Sequence, residues 1–440
     1  MSDGFAHASL LEGIRFTAQV GAPQLLVGQF KKRDWPSRIA SAVGADYGGY
    51  LLVNGLVEKY GPQPFYVRLA RDEILLVHDP DDIRFVLQRS PEPFAPDPDS
   101  KRKGMVAFQP NALTLSRGDL WADRRRFAEA VLDTKRHLHR LASTFRGVAY
   151  AEADAMAERP LRFTEFNAAF QRLTRRVVFG EAAAEDCELT AQLGELMAVA
   201  NGMPGEQAPD YADFIGRVQA YLDNPAPGSL AALVAKAPVS DRTRPAGQVV
   251  HWLFAMGDTL AVNAFRALAV ISACPQHVYA VQHELAQANL ESAKGIASLD
   301  YLAGCLFEAM RLWPTTPLFG RVAISDVRFP SGQMVPAGTQ IFIYNVFNHR
   351  DRARIPYADE FSPNQWVSGD APNNWSFNFF SNGPHRCPGA GLAVYLGQAV
   401  LARLLHGREP KLTGADLSGR ASMPHSLDVH GLTIELTPRR

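Results

Sequence analysis

Residues 380–389 read Phe-Ser-Asn-Gly-Pro-His-Arg-Cys-Pro-Gly, and an apolar run from Leu392 to Leu405 follows. This segment commits the chain to a turn that opens a helix. Gly383 and Gly389 frame the turn and remove side chains where a broad, flat ligand would otherwise meet backbone. Pro388 suits the first helical residue, where a missing N–H costs nothing, so Cys387 is expected at or near the cap. A thiol there is poised to ionise, because a helix N-terminus lowers its pKa and metal coordination lowers it further. The plain alternative is a buried structural cysteine before a Pro-Gly turn.

The rest of the chain sets bounds on that reading. Length alone, 440 residues, suggests two or three domains. Lys plus Arg and Asp plus Glu number 45 each, so no global field argues for nucleic acid. A hydrophobic share of 47% with 20% charged residues reads as globular. Cys187, Cys274, Cys305 and Cys387 form no C-x-x-C pair, which disfavours zinc or a disulfide framework and fits a reducing compartment. Glu12, Arg15, Gln19 and Gln24 interrupt the apolar runs of residues 1–30, and no basic region precedes them. Neither a signal peptide nor a membrane anchor is expected there. Val249 to Cys274 is long and apolar enough to span a bilayer but carries His251, Asp258 and Arg266. A charge near the middle is costly in lipid, so a buried core helix is expected. Together these features lead to the expectation of a cytoplasmic protein.

Phe65–Leu69 and Glu73–His78 read as strands around a turn, followed by a helix over Pro80–Gln88. Phe94 to Ser116 mixes Pro, Asp, Gly and Asn with apolar residues and is expected to be a long irregular loop. Trp121 to Arg140 has a helical pattern and is rich in Arg and Lys. Pro245 and Pro275 bracket the longest helix, about 45 Å at roughly 1.5 Å per residue. A further helix runs over Leu299–Leu312, and Arg321 to Ile343 reads as strands with two turns. No internal repeat or low-complexity segment is evident.

Phe380, Gly383, Cys387 and Gly389 fill F-x-x-G-x-x-x-C-x-G, and so resemble the haem-ligand signature of the cytochrome P450 family. The resemblance implies a mainly α fold with small β-sheets, in one unit over residues 1–440. Residues 1–45 form its lead-in, and the type implied is the soluble bacterial one. It also implies haem b (heme b, iron protoporphyrin IX) as cofactor, with Cys387 as the iron ligand. A thiolate ligand favours O–O cleavage, as the general account of this family states. Phe380, Gly389 and Ala255 are then expected against the ring.

Other motifs follow in the family's order. In Glu308-Ala-Met-Arg311, the E-x-x-R spacing puts both side chains on one helical face. By resemblance they form a buried pair behind the haem, usually completed by a cation in a downstream segment. Here that segment is Phe361-Ser-Pro-Asn-Gln365-Trp, so Gln365 stands where the cation would be. Ala255-Met-Gly-Asp258-Thr259 resembles the oxygen-activating A-G-x-(D/E)-T. Thr259 would donate a proton toward the bound oxygen and Asp258 would reload it from solvent. The alternative is a threonine bonded back within its helix and an aspartate paired with an arginine. Met256 replaces the usual glycine, and Gly257 is expected to supply the local bend. Trp121, Arg125, Arg321 and His385 match four family positions that hold the propionates, a task suited to planar guanidinium groups.

No flavin or NAD fingerprint is present, so electrons are expected from a ferredoxin or flavodoxin with its reductase, alongside O2. The basic run Arg124–Arg140 is a candidate dock, or else an ordinary solvated face. By resemblance, substrate contacts are expected from 94–116, 185–220, Phe254–Ala255, Thr315–Phe319 and Met423–Leu427. These are mainly apolar, which implies a hydrophobic small molecule; a monomeric enzyme is expected. Two alternatives stay open: a haem-thiolate peroxygenase or isomerase, and a haem-binding sensor without turnover.

Overall fold

The computed structural model describes residues 4–418 and 422–439. Its centre is the rod Pro245–Ala273, which opens on a proline at the first helical position and stops where Cys274 turns extended (φ −118°, ψ 105°) before Pro275. The rod is long and apolar enough to cross a membrane by composition, yet 67% of its most apolar window is buried inside the protein. Helices Phe163–Phe179, Asp300–Leu312 and Ala390–Leu405 pack around it, and Ala142–Ala157 packs on the last of these. Leu260, Phe265, Leu268, Leu306, Leu396 and Val400 meet in the large core cluster, and each is almost fully buried. Burying a side chain of that size contributes about 1.5–3 kcal/mol.

A six-stranded mixed sheet stands to one side. Its order is Ala6–His7, Phe65–Leu69, Asp72–Leu76, Gln340–Tyr344, Leu318–Ala323 and Phe94–Ala95. Alternating residues bury one face, as in Phe65 and Val67 against exposed Arg68. Ala6 pairs in parallel with Phe65, which ties the N-terminal lead-in to the sheet. A three-stranded sheet joins Arg408–Thr413, Thr433–Pro438 and Leu161–Arg162, and a two-stranded one pairs Val327–Arg328 with Met334–Val335. The architecture is mainly α with small sheets, as the resemblance implies.

Three local expectations need correction. The stretch 94–116 is not an irregular loop: Phe94–Ala95 is the sheet's edge strand, Asp99–Met105 is a helix, and Leu113–Leu115 is a 3-10 turn. Pro96 and Pro98 hid the helix by suggesting a break just where its N-terminus lies. The helix expected over 121–140 spans Gly118–Val131 and ends there. Asp133 adopts φ +50°, and its carboxylate accepts the Arg140 amide at 2.7 Å, so a short polar side chain replaces helical bonds with a turn. The helix after the cysteine starts at Ala390 with Gly389 as its cap, so Pro388 is not helical and Cys387 lies three residues ahead.

Candidate active site

The cysteine sits in a compact turn. Its amide donates to the Phe380 carbonyl at 2.7 Å, and its own carbonyl accepts from Ala390 at 3.4 Å. Ser381 and Gly383 take left-handed φ values of +56° and +67°. A Cβ at Gly383 would collide with the Leu87 carbonyl, so this glycine serves contact with a neighbouring helix end. That differs from the expected clearance for a ligand. At Gly389 a Cβ would meet only a Leu132 methyl carbon at 3.6 Å, so no protein contact requires glycine there. Thr134 anchors the turn from outside, its hydroxyl donating to the Pro388 carbonyl at 2.7 Å. Cys387 keeps accessible surface, yet burial pushes its thiol pKa up, opposed by backbone amides and by Arg125 and Arg386.

Behind the turn, Glu308 and Arg311 form a fully buried pair with bonds of 2.6 and 2.7 Å. Arg311 also donates to the carbonyls of His349, Ala358, Tyr357 and Glu360. Gln365 stands where a cation would complete the network; the structure uses its neighbour instead. The Trp366 indole N–H donates to Glu308 Oε1 at 2.8 Å, and the Ser362 amide donates to Oε2 at 2.8 Å. The carboxylate is satisfied by one cation and two neutral donors. A tryptophan one residue past the expected position was the available signal, and it was overlooked because the family pattern asks for charge.

The middle of the long rod, Ala255–Leu260, is a π-helix. Such segments free a carbonyl from the ladder and are frequent at functional sites. Here the Gly257 carbonyl accepts from Asn167 Nδ2 at 2.9 Å. A Cβ at Gly257 would meet Gln171 Cγ at 3.5 Å, an ordinary contact, while Met256 points into the core. His251, Phe254, Ala255, Asp258, Thr259, Val262 and Arg266 all keep accessible surface, whereas the residues between them are buried. Their spacing of three and four defines one face. Desolvation nevertheless dominates their charges: it lowers His251 to about 4 and Arg266 to about 10, and raises Asp258. Accessible surface with strong desolvation fits the wall of an internal chamber. Asp258 Oδ1 accepts from Gln171 Nε2 at 3.0 Å and Asn167 Nδ2 at 3.2 Å, so the acid is held by amides and not by an arginine. The Thr259 hydroxyl makes no back-bond to its helix among the described residues, unlike Thr174 or Ser272.

Trp121, Arg321 and His385 converge near the cysteine turn. The Trp121 and His385 rings stack with centroids 5.8 Å apart, and Trp121 Nε1 and His385 Nε2 are buried without partners. Arg321 is buried and donates only to Ser90, Gly320 and Ser381 oxygens; burial lowers its pKa to about 9. Arg125 bridges Glu129 and the Arg386 carbonyl. Lys101, absent from the sequence reading because it lies in the unrecognised helix, joins them: burial and Arg321 lower it to about 7, and its field also acts on His385. Neither Lys101 nor Arg321 pairs with a carboxylate among the described residues. Burying cations without counter-charge is costly. Two carboxylates of a ligand would supply it, so these residues fit a haem with its propionates.

The basic run expected as a dock is only partly a surface. Arg124 is buried, donating to Ser116 and Asn111, while Arg126, Lys135, Arg136 and Arg140 are exposed on the helix and the turn after it. Glu129 and Asp133 pair with three of these cations. No disulfide joins the cysteines among the described residues, and Cys274 and Cys305 are buried.

A mainly helical scaffold with a cysteine turn, an internal chamber and uncompensated cations beside it is the arrangement of a haem-thiolate protein. Residues 242–412 match the cytochrome P450 family model, a stretch holding the long rod, Glu308, Arg311 and Cys387. Over that stretch the chain is similar to the cytochrome P450 family. It is 29% identical to cytochrome P450 4c3 of Drosophila melanogaster over 33% of this chain and 28% of that protein. It is 33% identical to cytochrome P450 monooxygenase AMT3 of Alternaria alternata over 27% and 24%. For taurochenodeoxycholic 6 alpha-hydroxylase of Sus scrofa the values are 27%, 36% and 32%. The matched stretch thus spans about a third or less of these relatives' length. All three are eukaryotic, which lends no support to a specifically bacterial type.

Proposed function

We propose that the chain is a haem-thiolate monooxygenase that works as one unit and oxidises a hydrophobic small molecule. One observation carries this furthest: Asp258 and Thr259 share the cavity face, the acid held only by amides and the hydroxyl free of its helix. A sensor needs no such pair. Cys387 would ligate the iron, with Phe380, Gly389 and Ala255 against the ring. Arg125, Arg321, His385, Trp121 and Lys101 would hold the propionates. Haem bound through a thiolate activates dioxygen for insertion of one oxygen atom into a C–H bond.

The protein's own part is proton supply and exclusion of water. Burial raises the Asp258 pKa, so the acid holds its proton closer to neutrality, and Lys31 acts on it from the surface side. Thr259 passes a proton across the cavity face and Asp258 restores it. Partially exposed Phe254, Leu318 and Phe319 offer an apolar lining that supports a hydrophobic substrate. Electrons come from a separate ferredoxin- or flavodoxin-type partner, docking on the exposed cations Arg126, Lys135, Arg136 and Arg386. The cytoplasm is the compartment that thiols without disulfides suit.

The test is the absorption spectrum of the reduced protein with carbon monoxide. A strongly red-shifted Soret band that disappears in Cys387→Ala supports the assignment. A band at the position of haem with a neutral ligand in the wild type refutes it.

A further inference from the structure

A loop near the N-terminus lies over the end of the chamber that carries Phe254. Residues 27–33 close on themselves, the Arg33 amide donating to the Val27 carbonyl at 2.7 Å. Gly28 takes φ +97°, and a Cβ there would collide with the Lys31 carbonyl, so the turn requires glycine. At the tip of the loop the Phe30 ring packs on Gly104, where a Cβ would collide with it. Phe30 meets Phe108 edge-on with centroids 5.6 Å apart, and Phe108 meets Phe254 in the same way at 6.2 Å. Phe108 is fully buried, and Phe254 belongs to the accessible face of the rod. Phe108 thus stands as a ring between the loop tip and the chamber.

Asn201, which ends the helix Cys187–Ala200, holds this loop by its backbone. Its Oδ1 accepts from the Phe30 amide at 2.9 Å and the Lys31 amide at 3.4 Å, and its Nδ2 donates to the Lys31 carbonyl at 2.7 Å. Lys31 then lies over the same helix, since a Cβ at Gly194 would meet its Nζ at 2.9 Å. The Gly205 and Ala208 amides donate to the Lys103 and Ala107 carbonyls at 3.0 and 3.1 Å. Two expected pocket-lining segments, 94–116 and 185–220, therefore meet beneath the loop. Beyond it the helix Asp34–Ala42 buries no residue. Arg38 pairs with Asp428 at 3.7 Å, and Asp34 faces His430 at 3.5 Å. Gly44 follows with φ +65° and open space around it. The stretch 28–44 thus runs between two left-handed glycines. It is fastened at Asn201 and again at Asp428, next to the expected lining segment Met423–Leu427.

Resting on the monooxygenase reading, we propose that residues 28–44 are a hinged cover over the mouth of the chamber, with Phe30 as its plug and Asn201 as its catch, so that these two residues decide how large a molecule enters. Three bonds on one amide side chain are made or lost as a unit, so turning Asn201 away releases Phe30 and Lys31 together. Lys31 is exposed, and water can replace the bonds it loses. The glycines at both ends absorb the change in backbone direction. With the plug lifted, a path opens past Phe108 to Phe254. With it seated, water is kept from Asp258 and Thr259. Phe30 and Asn201 act on access and touch no reacting atom.

Stopped-flow mixing of the haem-loaded protein with imidazole and with clotrimazole reads entry, because each shifts the Soret band on reaching the iron. Phe30→Ala and Asn201→Ala should each speed clotrimazole by about fivefold or more, and imidazole by less than about twofold. Phe30→Leu, which keeps an apolar plug, should retain wild-type rates. An unchanged ratio of the two rates in both alanine variants would overturn the cover, as would equal acceleration of both azoles. Hydrogen exchange needs no haem and gives a second reading. Amides of residues 28–44 should exchange about tenfold faster or more in Asn201→Ala, with those of Pro245–Ala273 unchanged. Equal exchange in that variant and the wild type would refute the catch. If Asn201→Ala does not fold, Arg38→Gln, at an exposed position, decides: it should speed both exchange in 34–42 and clotrimazole entry, and no change in either overturns the proposal. Failure of the monooxygenase reading shows separately, as a wild type without the red-shifted carbon monoxide band, on which neither the azole ratio nor the exchange depends.

Discussion

Removing the Thr259 hydroxyl takes away a proton donor without touching the core, since its helix ladder does not use it. Thr259→Ala should keep its haem and fold, while a larger share of reducing equivalents leaves as hydrogen peroxide. The ratio of product to NADPH consumed measures this, and wild-type coupling would sink the relay. Trp366→Phe keeps a ring in its aromatic cluster but strips one donor from a buried carboxylate. The loss should be about 1–3 kcal/mol in denaturant unfolding. Gln365→Ala should cost far less, because the Glu308 carboxylate receives no bond from it.

At the scale of elements, the cysteine turn depends on backbone more than on side chains. Gly383→Ala would force a Cβ onto the Leu87 carbonyl at a positive φ. It should lower both haem content and melting temperature. Gly257→Ala, whose Cβ meets only ordinary contact, should change stability by less than about 1 kcal/mol. Elements with a strong period or a proline at the cap were legible beforehand: the long rod, Asp300–Leu312 and the strands at 65–76. The cysteine motif could be read because its residue types are fixed by chemistry. Three features could not be read. The π segment has its Gly257 carbonyl bonded by Asn167, a residue ninety positions away. Lys101 joined the cation cluster only once Asp99–Met105 proved helical. Trp366 replaced an expected cation because an indole N–H can reach where the Gln365 amide does not.

For the whole molecule, buried histidines set the response to acid. Burial lowers His78 and His277 to about 4 and His349 to about 3. Their unfolded values lie near 6.5, so between about pH 6.5 and 4 the unfolded chain binds more protons than the native one. Stability should therefore fall as pH falls through that window, by up to about 1.4 kcal/mol per pH unit for each histidine. Melting temperatures at pH 7.5 and 5.5 check this; an unchanged value would contradict it. Partner-driven turnover should decline as salt rises from about 0.05 to 0.5 M if the exposed cations near the cysteine turn form the dock. Peroxide-driven turnover, which needs no partner, should not follow it.

The seven accessible positions from His251 to Arg266 give the long rod an inside and an outside in an unusual sense. That accessible face turns inward, and the positions between its residues are locked in the core. A library restricted to His251, Phe254, Val262 and Arg266 would rewrite the chamber's contents while leaving the rod's buried positions unchanged. Diversity at the intervening positions, such as Leu253 or Leu260, would instead be read out as misfolding. A deep mutational scan of this single helix should show tolerance rising and falling with a period near 3.6, in phase with the cavity.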